Sequence, residues 1–370
     1  VCRLAVLLAT SGHSGVDRVI KNLLPSIADR GVQVDLLHVQ GHGPHLDDPR
    51  ADIRVVELGT SHVYSSIGPV VRYLKRERPQ VLLSAKDRVN RVAILARMLA
   101  GVPTRGVVRI GTTVSMDLDG RGPVDRLLTG LSMRYLYRRA DRIVLPSAAA
   151  AQDFLDTTEL PADRVLSVPS PVVTPGLFEK ATRHPEHPWL AEKKGAVIVG
   201  IGELCARKDF ATLIRAFASI RESHPAKLVV FGEGDQRRTL ETLINELGLT
   251  ADVDLPGFVD NPYGALARAD LYVHSARFEG SPVALMEAMA LGVPSVSTDC
   301  PSGPAEILAG GKYGELVAVG DVRAMAKAIK KTLDAPPARD HLRQAAEPYT
   351  LEASTDAYLS ALGIRPRSAG

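Results

Sequence analysis

The chain alternates, twice over, short apolar runs with longer amphipathic stretches, and a Pro- and His-rich segment parts the two series. The first series predicts strands at residues 4–9, 34–39, 53–57, 81–84, 104–110 and 142–145, with helices at 16–30, 88–100 and 124–140 between several of them. The second predicts strands at 196–201, 228–231, 252–255, 271–274 and 295–297, helices at 210–222, 237–247, 282–291 and 322–333, and a last amphipathic segment at 351–362. A helix between successive strands implies a parallel sheet covered on both faces. Residues 169–188 carry little periodicity and read as a linker. At 370 residues the chain exceeds one ordinary core. The fold class is therefore α/β: two doubly wound domains with a cleft between them, ligands binding beyond the carboxyl ends of the strands.

Composition narrows the class. An apolar fraction of 45% and a charged fraction of 24% belong to a soluble globular protein, and no apolar run reaches the eighteen or so residues of a spanning helix. The N-terminus runs into the strand-like Leu4-Ala5-Val6-Leu7-Leu8 with no signal-peptide pattern. Cys2, Cys205 and Cys300 are too scattered for a disulfide framework or metal cluster, so a cytoplasmic, reducing setting is expected. Residues 1–180 carry 24 Lys and Arg against 18 Asp and Glu, while the remainder carries 21 against 24. A basic half joined to an acidic one suggests that one half meets an anionic surface or substrate, although ordinary scatter of surface charge gives the same imbalance.

The densest chemistry lies at residues 275–288. Glu279 and Glu287, with seven residues between them, flank Gly280-Ser281-Pro282. Pro282 suits the first position of the helix that continues through Val283. Free backbone N–H groups then lie beside one acid, and the other projects two turns on. Such a site holds an anion at a helix N-terminus and grips hydroxyls from both sides. A nucleotide-sugar, a pyrophosphate between two polyols, has those features. Four further loops follow strands. Thr10-Ser11-Gly12-His13-Ser14-Gly15 allows close backbone approach to an anion, although Gly-rich turns also end many strands. In Gly202-Glu203-Leu204-Cys205-Ala206-Arg207-Lys208-Asp209, Arg207 offers a forked donor and Lys208 a compact charge to a pyrophosphate leaving group. The alternative, a solvated charge pair at a helix start, is disfavoured by the helix dipole. Gly232-Glu233-Gly234 and Pro256-Gly257-Phe258 either expose backbone groups to a nucleotide base or form ordinary turns.

In this order the elements resemble the retaining glycosyltransferases of family 4, which have the GT-B fold of two Rossmann-like domains. The resemblance covers nearly the whole chain and is strongest from about residue 197 to 316. It includes the run 290–301 beside the motifs above. The domains expected are 1–180 for the acceptor, 181–348 for the nucleotide-sugar, and a C-terminal helix within 349–370 returning to the first. The resemblance implies that Glu287 binds ribose hydroxyls and Glu279 the transferred sugar. Arg207 and Lys208 would hold the diphosphate, helped by the backbone at Gly15 and around Ser281. Gly202, Gly232, Phe258, Gly280, Pro282 and Val283 complete the implied donor contacts. The leaving phosphate would take the acceptor's proton, with no protein nucleophile.

One position departs from the family. A histidine is usual just after the strand matching 106–110, and Gly111 stands there; Arg109, Thr112 and His13 are the candidates for the missing sugar or acceptor contact. Asp117-Leu118-Asp119 and Asp252-Val253-Asp254 look like metal-binding D-x-D triplets, but the resemblance to GT-B enzymes implies no metal. The nucleoside-diphosphate sugar is a co-substrate, and no cofactor is expected. Between Arg121 and Arg142, six arginines interleave with leucines and tyrosines against two acids. That stretch either lies on an anionic membrane surface or packs on the sheet with a solvated basic face. Nucleic acid is not an expected partner, since no basic stripe with stacking aromatics covers either domain. The function expected is retaining transfer of a sugar, from a UDP-linked donor ahead of GDP-mannose, to a glycan or polyprenyl-linked acceptor. The setting is bacterial surface polysaccharide synthesis on the inner membrane face, which the loop 299–307 resembles. The rivals are an epimerase or phosphorylase on the same architecture, and a nucleotide-sugar-binding protein without turnover.

Overall fold

The computed structural model describes residues 2–10, 15–44, 50, 52–120 and 122–365. It divides into a first unit, Val1–Val172 with Tyr349–Gly370, and a second, Val173–Pro348.

The first unit holds strands β1 (Arg3–Leu8), β2 (Gln33–His38), β3 (Ile53–Glu57), β4 (Val81–Ala85), β5 (Arg105–Arg109), β6 (Arg142–Leu145) and β7 (Val165–Ser167). They form one parallel sheet in the order β3-β2-β1-β4-β5-β6-β7. Val6 lies opposite Leu36 on one side and Leu83 on the other. Because helices cover both faces, β1 and β4 read as continuous apolar runs rather than alternating ones. Side chains still alternate between faces. Leu4, Val6 and Leu8 pack with the helix Gly15–Asp29, while Ala5 and Leu7 pack with the helices Ile67–Glu77 and Asp87–Ala100. The C-terminal helix Leu351–Leu362 joins the first face. Tyr358, Leu359 and Leu362 are buried there, and Thr355 Oγ1, whose proton goes to Leu351 O, accepts from Ser26 Oγ at 2.9 Å.

The second unit holds β8 (Ala196–Ile201), β9 (Ala226–Phe231), β10 (Val253–Gly257), β11 (Leu271–His274), β12 (Ser295–Thr298) and β13 (Glu315–Val317). They form a parallel sheet in the order β10-β9-β8-β11-β12-β13. The strand β7 and the strand β13 were not expected. Each has three residues, mostly not fully buried, and so lacks the apolar run that marks the others.

The stretch 169–188, expected as a linker, holds a helix, and the second unit begins at Val173 where 181 was expected. Thr174 caps a helix, Pro175–Ala181, by accepting from the Leu177 amide at 3.3 Å, with Pro175 at its first position. Asn261 Nδ2 donates to Lys180 O at 3.0 Å, and His187 Nε2 lies 3.0 Å from Asp254 Oδ2. The Arg183 carbonyl passes so close over Gly264 that a Cβ there would sit 2.3 Å from it.

Candidate active site

In each sheet the strand order reverses once, between β1 and β4 and between β8 and β11. Loops leaving adjacent strands at such a point diverge and open a crevice at the carboxyl ends. In the second unit those are the loops carrying Arg207-Lys208 and Glu279. They are tied together: the Arg277 amide donates to Arg207 O at 2.8 Å, and Ser275 Oγ donates to Lys208 O at 2.8 Å.

Glu279 is buried, and its Oε1 receives Arg207 Nη1 at 2.7 Å and the Lys208 ammonium in a shorter ion pair. Burial works to raise its pKa, but Lys208, His274 and Arg207 outweigh it and hold the carboxyl well below the ordinary range. Lys208 lies deeper than Arg207, whose guanidinium also rests 5.9 Å from the Phe278 ring. Gly202 makes room for the lysine stem, since a Cβ there would meet Lys208 Cε at 3.1 Å.

Glu287 sits on the helix Val283–Ala290, which is buried along most of its length because Leu285, Met286, Ala288 and Met289 pack inward. A buried carboxylate needs partners, and Tyr263 Oη donates to Glu287 Oε1 at 2.9 Å. Tyr272, fully buried in β11, feels both acids: burial first, then Glu279 and Glu287, push its phenol above the ordinary range. The helix starts at Val283, one residue later than expected. Pro282 occupies the cap, and the Val283 amide is taken by Ser281 O at 2.9 Å, which removes one of the expected free N–H groups. Gly280 and Pro282 are buried, and Ser281 and Val283 are half-buried.

The loops after β8 and β9 are joined through their backbones. The Gly202 amide donates to Phe231 O at 3.0 Å, Leu204 N to Glu233 O at 2.9 Å, and Gln236 N to Leu204 O at 2.8 Å. Gly232, at φ +149°, lies so close that a Cβ would stand 1.8 Å from the Gly202 oxygen. Its glycine is thus explained by loop packing. Phe258, after β10, presents a ring that is 70% exposed.

A lone histidine was passed over in the sequence and belongs to this cluster. His274 ends β11, buried beneath Glu279, with Nε2 3.7 Å from Glu279 Oε1, too far for a hydrogen bond. Ser297 Oγ donates to Thr298 O at 3.0 Å, so it accepts from His274 Nδ1 at 3.0 Å. Burial holds the imidazole below its ordinary pKa against the pull of Glu279. Cys300 also feels this charge: burial and then Glu279 push its thiol up to about 12. Only contacts across 23 residues reveal the histidine; nothing local marks it.

In the first unit the loops at the reversal leave β1 and β4. His13 lies outside the described residues, and Gly15 is the exposed first residue of its helix. Asp17, two residues on, is buried and accepts from Thr10 Oγ1. Lys86, following β4, adopts φ +73°, which is strained for a residue with a Cβ. Arg109 is only 3% exposed: its Nε donates to Tyr358 Oη at 2.9 Å and its Nη2 to Ser170 Oγ at 3.2 Å. It therefore braces the interior of the unit rather than facing solvent. Gly111 is exposed, and a Cβ there would meet Arg109 Nη1 at 3.1 Å; Thr112 is half-buried. The D-x-D acids are engaged elsewhere. Asp119 pairs with Arg126 at 2.8 Å, Asp252 with Lys227 and Arg221, and Asp254 with His187.

Two family models divide the chain between them. The glycosyl transferase 4-like domain matches residues 14–171, and the glycosyl transferases group 1 model matches residues 185–348, which contain Arg207, Lys208, Glu279 and Glu287. The chain belongs to the family 4-like glycosyltransferases. The N-acetylgalactosamine-N,N'-diacetylbacillosaminyl-diphospho-undecaprenol 4-alpha-N-acetylgalactosaminyltransferase of Campylobacter jejuni is 27% identical over 93% of this chain and 92% of its own length. Among solved structures, HepE of Anabaena in complex with UDP superposes at a TM-score of 0.78, with 17% identity over 98% of this chain and all of that one. The lipopolysaccharide outer core galactosyltransferase WaaB superposes at 0.74, with 18% identity over 98% and 99%. This family member is therefore a glycosyltransferase with the GT-B fold.

Proposed function

We propose that the protein transfers a sugar, with retained anomeric configuration, from a nucleoside-diphosphate sugar to a hydroxyl of a glycan or lipid-linked acceptor in bacterial surface polysaccharide assembly. The observation that carries this is the convergence of Arg207 and Lys208 on Glu279, on loops that flank the reversal between β8 and β11. Two adjacent cations held at a crevice mouth suit a diphosphate, whose oxygens compete for the same N–H groups as the carboxylate. On this reading Glu279 is drawn toward the sugar hydroxyls as the diphosphate engages the cations, and Glu287, fixed by Tyr263, accepts from the ribose hydroxyls. Exposed Phe258 and the Gly202 and Gly232 loops border the base.

The bond from the anomeric carbon to the diphosphate oxygen breaks, and Arg207 and Lys208 stabilise the charge that develops there. The acceptor oxygen bonds to the same face of the anomeric carbon, and its proton passes to the departing diphosphate. Nucleoside diphosphate and glycoside result. We read the transfer as metal-independent, because the two side-chain cations meet the leaving group directly. A UDP-linked donor is supported by the relative solved with UDP, and a polyprenyl-linked acceptor by the diphospho-undecaprenol in the Campylobacter enzyme's name. The first unit is assigned acceptor recognition, at a membrane surface. Incubating the protein with a panel of donors and acceptors tests the proposal. Release of nucleoside diphosphate in step with an α-linked product from an α-donor supports it, and an inverted product or no product across the panel contradicts it.

A further inference from the structure

We propose that the helix Pro123–Leu136 docks the protein onto an anionic lipid bilayer. This helix buries one face and exposes an apolar stripe on the opposite one. Thr129 and Met133, with Tyr137 just beyond, are buried in the first unit and anchor one face. On the other, Val124, Leu127, Leu128, Leu131 and Tyr135 are between 43% and 71% exposed. At 3.6 residues per turn these five fall in one stripe about 100° wide, the width a globular helix turns toward a core. Contiguous exposed apolar surface of this kind marks an interaction site.

Charge selects the occupant. Residues 122–142 carry five arginines against two acids, Asp125 and Asp141. Asp141 is taken by Arg97 at 2.8 Å, while Arg126 pairs with Asp119 and Arg134 with Glu159. Arg138 and Arg139 are exposed at the carboxyl end of the stripe. A bilayer accommodates both features. Leucines enter the acyl boundary, Tyr135 lies at the interface, and arginines reach the headgroup phosphates. It also needs only one face of one helix. A second protein needs about 800 Å² per partner for a stable interface, more than a stripe one helix wide supplies.

None of these residues belongs to the donor site, so docking and sugar transfer stand or fall separately. The test is co-sedimentation of the full chain with phosphatidylcholine vesicles made with and without phosphatidylglycerol. The protein is expected to sediment with the anionic vesicles and to remain in solution with the neutral ones. The double variant Leu127→Glu/Leu131→Glu should lower binding at least tenfold or so. Arg138→Glu/Arg139→Glu should weaken binding and flatten its salt dependence. Both variants should keep the wild-type circular dichroism, melting temperature and donor affinity. Three results would overturn the proposal: no preference for anionic vesicles, wild-type binding by the leucine variant, or a solution dimer that the leucine variant dissociates.

Discussion

Arg207, Lys208 and His274 converge on a single oxygen of Glu279, and their different chemistry assigns them different tasks. The two cations are the groups a diphosphate engages, so Lys208→Ala should lower donor turnover on the order of 10²- to 10³-fold, measured with saturating donor, while the fold is kept. Tyr263→Phe removes the 2.9 Å bond to Glu287 and should weaken nucleotide binding by about tenfold in a titration, with less effect on turnover at saturation. His274 and Glu279 both have depressed pKa values in the folded protein, so both contribute stability that is present at neutral pH and lost in acid. As pH falls, the unfolded chain takes up protons first, from about 6.5 for the histidine and 4.5 for the acid. The melting temperature should therefore fall between pH 7 and pH 5 more steeply in the wild type than in His274→Gln. Equal slopes would remove the histidine from this account.

At the scale of elements, the site depends on how tightly the loops after β8 and β9 are held against each other. Gly232→Ala drives a Cβ into the Gly202 carbonyl and should cost about 3 kcal/mol or more. Gly248, at φ +66° with open space around it, reports backbone strain alone, and Gly248→Ala should cost only about 1 to 2 kcal/mol. Denaturant melts of the two variants separate close packing from conformation. Such packing is poorly legible in a sequence, where Gly232-Glu233-Gly234 passes equally for a base contact or an ordinary turn. The parallel strands were legible because burial on both faces leaves an apolar run. The helix Pro175–Ala181 was hidden by the prolines and histidines of the stretch around it, although Thr174-Pro175 is itself a helix-start signal.

For the whole molecule, the C-terminal helix completes the first unit although it is last in the chain. Tyr358 sits in that core and holds the buried Arg109 guanidinium, so Tyr358→Phe leaves a charged donor short of a partner. It should cost about 1 to 3 kcal/mol in a denaturant melt. That bond spans 249 positions, which is why Arg109 read as a candidate sugar or acceptor contact from the sequence yet lies inside. Arg207, Lys208 and Glu279 were legible because each stands in a loop directly after a strand; how the two cations meet on one oxygen of Glu279 was not, since the fold alone brings residues 207 and 279 together. Donor binding depends on that meeting, and thermal shift with nucleotide-sugars reads it out. At a hundred times the dissociation constant a bound donor adds about 2.7 kcal/mol to stability. The wild type should melt several degrees higher with a UDP-sugar, and Lys208→Ala and Glu287→Ala should lose most of that shift. No shift with any nucleotide-sugar, or an undiminished shift in both variants, would contradict the account.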